Sequence, residues 1–262
     1  MAGRNAGLSR PPGIAIESSM PGAELWITQI FNDYLAGLGN AILGIVGIKA
    51  QDRPWENFIV MQILVVAIIV VLAAILRARL SFDRPGKLQH IFELVYEFVA
   101  GQAEDQMGHS GMKYLGYFAT IFVFILVSYL IGIIPGMEAP TMNPSVPAGC
   151  AIATFLYYNG VGLRSNGPLK YSAHFAGPVW WLAPLMIPIE IVSHLARPLS
   201  LTIRLYANMF AGEKLTMVFL SLTYFLIPAA FMGLHVFVAL LQAYIFLLLT
   251  MIYVAGATAH EH

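Results

Sequence analysis

The sequence predicts an all-α polytopic membrane protein with about five membrane helices, the last two forming a long tilted hairpin, plus interfacial amphipathic helices. Three observations point there. Of 262 residues, 58% are hydrophobic and 11% charged, against about 25% charged in an ordinary soluble domain, so this chain cannot cover a soluble surface. Uncharged apolar runs recur at close to the ~20 residues that a bilayer-crossing helix needs. Charged residues cluster between those runs, or fall at helical spacing within one of them. Fourteen Lys and Arg balance fourteen Asp and Glu, so no net field selects nucleic acid, and no nucleic-acid partner is expected. Cys150 stands alone, which excludes an intramolecular disulfide and any CxxC site.

The elements follow in order within a single membrane domain, 1–262. Residues 1–22 lack the apolar core of a cleavable signal, so none is expected there. The outer N-terminal segment, 1–57, contains an amphipathic stretch at 24–46, where Leu25, Ile30, Phe31, Tyr34 and Leu38 recur at helical spacing. Residues 58–76 are uncharged and make the first span, within a segment 58–80. Residues 85–110 read as a helix lying flat at the inner interface, with Leu88, Ile91, Val95 and Val99 on one side and Glu93 and Glu97 on the other. Two spans fill 114–163, at 114–137 and 145–163; Pro144 and Pro147 sit at the start of the second, where helices tolerate proline. The polar-striped hairpin occupies 178–259. Its second half, 215–259, lacks Asp, Glu, Lys and Arg but is too long for one span, and a bend or restart is expected at Pro228 or Gly233. Residues 137–147 and 164–177 carry no functional assignment.

Basic residues set the orientation. Arg77, Arg79, Arg84 and Lys87 follow the first span, and Arg164 and Lys170 follow the third. Both loops are therefore placed in the cytoplasm, the N-terminus outside and the C-terminus inside.

A charge at the bilayer centre costs about 2.5–3.5 kcal/mol or more, so charges in the fourth membrane segment need a reason. Glu190, Arg197 and Arg204 are seven apart, and a seven-residue step slips only about 20° around a helix. His194 lies near this stripe and Asn208 continues it. Glu213 falls on the opposite side, facing another helix. The last helix offers His235 and Gln242, seven apart on one face. In an antiparallel hairpin Glu213 and His235 both lie toward the outer end, and Glu190 toward the inner end. Titratable groups thus stand on either side of Arg204, an arrangement for ion passage in two halves. Structural alternatives stay open. Arg197 can snorkel to headgroups, His194 can be a helix contact, Asn208 and Gln242 can join helices, Glu190 can cap a helix, and Glu213 with His235 can form a buried neutral pair. Arg204 is harder to explain structurally, having no carboxylate within four residues.

No HExxH, nucleophile elbow or GxxxxGK[ST] loop occurs, so no catalytic site, metal or cofactor is expected in the chain itself. The terminal His260, Glu261 and His262 are too frayed for a metal site.

The run from Arg197-Pro198 through Arg204-Leu205-Tyr206-Ala207-Asn208-Met209 to Gly212-Glu213 resembles the signature of subunit a of the rotary F-type ATP synthase. Residues 241–253 resemble that family's final helix, and 85–99 its inner amphipathic helix. The resemblance implies a stator subunit of the membrane sector that couples proton flow to ATP synthesis. It implies an essential Arg204 facing the carboxylates of a rotor ring of c subunits. It also implies an outer half-channel with Glu213, His235, Gln242 and Asn208, and an inner exit near Glu190, with His194 and Arg197 secondary. The further partners implied are peripheral-stalk b subunits, the soluble ATPase sector and membrane lipid. A bacterial cell inner membrane is the expected location. The rival reading is a self-contained proton- or sodium-coupled secondary transporter, whose usual internal symmetry is not visible here.

Overall fold

The computed structural model describes residues 25–46, 49, 52–81, 86–134, 136–174, 183–222 and 226–258. The signal-peptide expectation at 1–22 and the terminal His260, Glu261 and His262 lie outside these residues. Among them the regular elements are all helical: α1 (Trp26–Val46), α2 (Asn57–Ala78), α3 (Lys87–Met107), α4 (Leu115–Ile131), α5 (Ser145–His174), α6 (Ala183–Leu222) and α7 (Leu226–Thr258), with short 3-10 helices at Gly108–Tyr114 and Pro140–Met142. Four stretches are long and apolar enough to cross a membrane, Asn57–Ala78, Lys87–Ile131, Ser145–Ser165 and Ala229–Thr258. The protein is thus an all-α polytopic membrane protein.

The fifth expected membrane helix, α6, carries too many charges to stand among those four, yet it packs along α5 and α7. Its 40 residues span about 60 Å at 1.5 Å per residue, twice the ~30 Å hydrocarbon thickness, so inside a bilayer it must lie steeply tilted.

Three boundaries differ from the sequence reading. The span expected over 114–137 ends as a helix at Ile131. The N–H groups of Gly132, Ile133 and Ile134 reach back only three residues, at 3.2, 3.1 and 3.2 Å, the tightening that closes a helix. The span expected over 145–163 continues to His174, broken at Gly167, whose φ of 73° and ψ of 159° suit glycine alone. In the last segment, α6 runs to Leu222 and α7 starts at Leu226, which puts Pro228 in a first turn where its missing N–H costs nothing. Gly233 lies inside α7 and does not restart it.

The N-terminal helix also turns differently from a simple apolar-in arrangement. Trp26, Ile30, Tyr34 and Leu38 are exposed, whereas Thr28 and Asn32 are buried. Asn32 explains this: its amide donates to the Trp55 carbonyl at 3.1 Å and its Oδ1 accepts the Trp55 N–H at 3.0 Å. The apolar stripe is left to face outward, as lipid contact requires.

Helix α7 is the centre of the bundle, packed by α3, α4, α5 and α6. Its buried residues Ala239, Gln242, Ala243, Phe246, Leu247, Thr250, Met251 and Val254 step by three and one, the spacing of one helix face. Two alanines there let neighbours approach closely, as membrane helix contacts favour. By contrast, among its described side chains α6 buries only Leu201, Leu205 and Met209, a single narrow stripe. Val192, Leu195, Leu199 and Ile203 on α6 are more than half exposed, at 67%, 61%, 61% and 55%. The described residues do not cover the rest of that helix.

Candidate functional site

The site is the seam between α6 and α7. Phe219 stacks on Phe231 with ring centroids 4.3 Å apart, Asn208 bonds Gln242 at 2.6 Å, and the Arg197 guanidinium lies 5.2 Å from the Tyr253 ring centre. Descending residue numbers on α6 meet ascending ones on α7, so the helices are antiparallel. The three pairs recur every eleven residues on both helices, a repeat of 3.67 per turn that almost matches the helix itself. The seam therefore stays on one face over its length, and polar groups can line it from end to end.

At the end where α6 finishes and α7 starts, His235 packs against the α6 backbone at Gly212. A Cβ on Gly212 would stand 2.6 Å from His235 Nε2, so glycine is required for this approach. Thr216 Oγ1 lies 3.5 Å from His235 Nδ1, and it donates to the Gly212 carbonyl at 2.9 Å. His235 Nε2 is buried without a hydrogen-bond partner among the described residues. Glu213 is half-buried beside this contact. No hydrogen bond joins Glu213 to His235, which rests on the adjacent Gly212; the charged groups that act on Glu213 are Glu138 and Lys214.

Midway, Asn208 Nδ2 donates to Gln242 Oε1. Gln242 is 1% exposed and its own amide nitrogen has no partner among the described residues. Arg204 lies one turn before Asn208. Its guanidinium makes no ion pair, hydrogen bond or ring contact with any described residue. The helix around it is nevertheless fixed, because Tyr129 of α4 donates its hydroxyl to the adjacent Leu205 carbonyl at 2.6 Å.

The opposite end holds a second cluster. Arg197 pairs with Glu190 at 3.8 Å, both about one-third exposed. His194 Nε2 is 2.9 Å from Asn159 Oδ1 and 3.3 Å from the Tyr158 hydroxyl on α5. Its ring meets Phe155 and Tyr158 edge to face, and Tyr158 in turn lies 5.7 Å from Tyr253. Arg197 is thus held by the chain's own Glu190 and Tyr253, where the sequence alone favoured snorkelling to the headgroups.

The structure brings Asn208 to Gln242, His235 to the Gly212-Glu213 turn, and Glu190 to Arg197 with His194 nearby, while Arg204 finds no partner among the described residues. Sequence reasoning missed Thr216, Tyr158, Asn159, Tyr129 and Glu138. Tyrosines and threonines are too common in apolar helices to signal a site, and their partners lie on distant helices. Asn159, uncharged and following Tyr157 and Tyr158, gave no signal either.

A family model described as ATP synthase A chain matches residues 59–255. The chain is similar to the ATP synthase subunit a of Solibacter usitatus, 71% identical over 233 residues that cover 89% of this chain and 100% of the relative. It is similar to the ATP synthase subunit a of Koribacter versatilis, 49% identical over 241 residues, 91% and 98% of the two chains. It is also similar to that of Geobacter sulfurreducens, 44% identical over 178 residues, 68% and 77% of the two.

Proposed function

The chain belongs to the ATP synthase A chain family, and from that premise we propose that it is the stator of the membrane motor, holding two offset proton half-channels either side of Arg204. The observation that carries this reading is the Arg204 guanidinium, which has no partner among the described residues, on a helix that those residues leave largely exposed. A membrane-embedded cation without a carboxylate of its own calls for one from a partner. The partner read here is a rotor ring of c subunits, each presenting one carboxyl group. Peripheral-stalk b subunits and the soluble ATPase sector complete the assembly.

A proton from the outer side passes along Glu213, His235 and the Asn208–Gln242 bridge to a ring carboxylate. Once neutral, that group can turn through lipid without the cost of a bare charge. After nearly a full turn it meets the inner path beside Glu190 and His194 and loses the proton. Arg204 favours the ionised carboxylate by Coulomb attraction in a low-dielectric setting. As a fixed cation it also bars a direct leak between the two paths. Guanidinium suits this because it stays charged when desolvated, which a buried lysine need not.

The basic residues Arg77, Arg79, Arg84 and Lys87 after the first span, and Arg164 and Lys170 late in α5, support a reading with the Gly212–His235 end and the N-terminus outside and the Glu190–Arg197 end and the C-terminus in the cytoplasm of a bacterial inner membrane. The test is purification in mild detergent. The motor reading expects the chain to travel with a ring oligomer and soluble ATPase subunits. A chain that purifies alone and moves a solute when reconstituted is a secondary transporter instead.

A further inference from the structure

Beyond the α6–α7 seam, a cavity of about 450 Å³ opens at the end of the bundle that holds Gly212 and His235; Arg53, Glu56, Asn57, Glu138, Asn143 and Phe210 line it. The loop around Glu138 has no assigned role, yet it is firmly placed. Glu138 Oε2 accepts a hydrogen bond from Asn57 Nδ2 at 3.4 Å, and Asn57 Oδ1 accepts the Leu25 N–H at 3.3 Å. The adjoining 3-10 helix Pro140–Met142 packs on α2 and α6. Ala139, next to Glu138, is buried; like Met209 of α6, it crowds the Cα of Gly132. Phe210, on the same cavity wall as Glu138, stands one turn before Glu213 on α6. The charge on Glu138 also reaches Glu213 through space. Arg53 and Glu56 on the cavity wall and Lys214 beside Glu213 are the other charged groups of this corner.

We propose that the cavity is the outer vestibule of the proton path and that Glu138 is its first proton-carrying group, feeding Glu213. The proposal rests on the half-channel reading and extends it to a carboxylate that reading does not use. The step balances simply. A hydronium ion in the vestibule protonates the Glu138 carboxylate and leaves water. The Glu138 O–H bond then breaks as the proton passes, through water between them, to the Glu213 carboxylate. Glu138 is returned to its ionised form, hydrogen-bonded to Asn57, and the proton moves on along the seam. The cavity is wide enough for several waters, so the vestibule collects protons over an area while Glu138 fixes where they leave it.

The experiment is passive proton conduction through assembled complexes in vesicles stripped of soluble ATPase, with pH varied separately on each side. Glu138→Gln should lower conduction about tenfold, less than the ~10²–10⁴-fold of a fully committed proton-transfer group because vestibule water offers a bypass. It should change the dependence on outer pH and leave the dependence on inner pH unaltered. Glu138→Asp, which keeps a titratable group, should recover most of the loss. Equal losses in Glu138→Gln and Glu138→Asp make Glu138 a structural contact and overturn the proposal. Wild-type conduction in Glu138→Gln also overturns it; if Glu213→Gln blocks conduction in the same vesicles, the half-channel reading survives. Normal conduction in Glu213→Gln removes that underlying reading itself.

Discussion

Asn208 of α6 donates its amide N–H to Gln242 of α7 at 2.6 Å, one turn beyond Arg204, which has no partner among the described residues. This contact ties the two long helices together one turn from that cation. It serves structure and pathway at once. The bond holds the helix that carries Arg204, and the Gln242 amide nitrogen, buried and without a partner among the described residues, remains a donor facing the seam.

Asn208→Ala and Gln242→Ala should therefore be coupled. Side-chain hydrogen bonds between membrane helices are worth about 0.6 kcal/mol on average and up to ~1.7 kcal/mol. A double-mutant cycle on thermal unfolding of the detergent-solubilised complex should give a coupling in that range. Purely additive losses mean that the contact contributes nothing to the hairpin.

Arg204→Lys should abolish coupled transport while leaving assembly intact, since a buried lysine can shed its proton and its point charge lacks the guanidinium fork. The measurement is ATP-driven proton pumping by inverted vesicles. Pumping at the wild-type rate removes Arg204 from the mechanism.

The helical architecture and the polar stripe were legible because composition, span length and the seven-residue spacing of Glu190, Arg197 and Arg204 are properties of the chain alone. The pairing was not. Spacing places Arg197 and Arg204 on one face, but only packing decides that Arg197 meets Glu190 and Tyr253 while Arg204 meets no partner among the described residues. The end of α4 was overrun because residues 132–134 are as apolar as a helix interior, and only their backbone hydrogen bonds mark the stop. Asn32 was passed over for a related reason, since its inward turn depends on Trp55 in another segment.

Exposure along α6 makes a directional prediction. Ile203, 55% exposed, faces away from the chain's own core, whereas Leu201 is 2% exposed within it. Cysteine at 203 should crosslink to a cysteine on the carboxyl-bearing helix of the ring, and cysteine at 201 should not. The reverse pattern by gel shift puts the ring against another face.

Glu190 and Arg197 form a pair about one-third exposed, and pairs of this kind contribute only ~0–1 kcal/mol. Glu190→Gln should cost less than that in stability and slow conduction by no more than a few-fold, because Arg197 keeps its contact with Tyr253 and an open inner exit tolerates one lost carboxylate. Thermal denaturation and passive conduction check the two parts. A Glu190→Gln block deeper than that of Glu213→Gln moves the bottleneck to the inner side.

The last prediction concerns the corner where Gly212, Glu213 and His235 meet. His235 rests on Gly212 and reaches Thr216, not Glu213, so any transfer between the two titratable groups runs through water rather than a direct bond. Two consequences separate this arrangement from a simple pair. A methyl group on residue 212 falls 2.6 Å from His235 Nε2 and must push the ring aside, so Gly212→Ala should lower outer-side conduction as His235→Ala does. Adding His235→Ala to Gly212→Ala should then cost little more. Exchanging the groups, Glu213→His with His235→Glu, keeps one carboxyl and one imidazole on the same water-linked path and should restore part of what either single change removes. A glutamate at 235 reaches about as far from the backbone as the imidazole, so it too needs the open space above Gly212. The exchange should help only while residue 212 is glycine. An exchange variant that conducts no better than the worse single mutant breaks the relay into two unconnected residues, and wild-type conduction in Gly212→Ala shows that the position of the His235 ring does not matter.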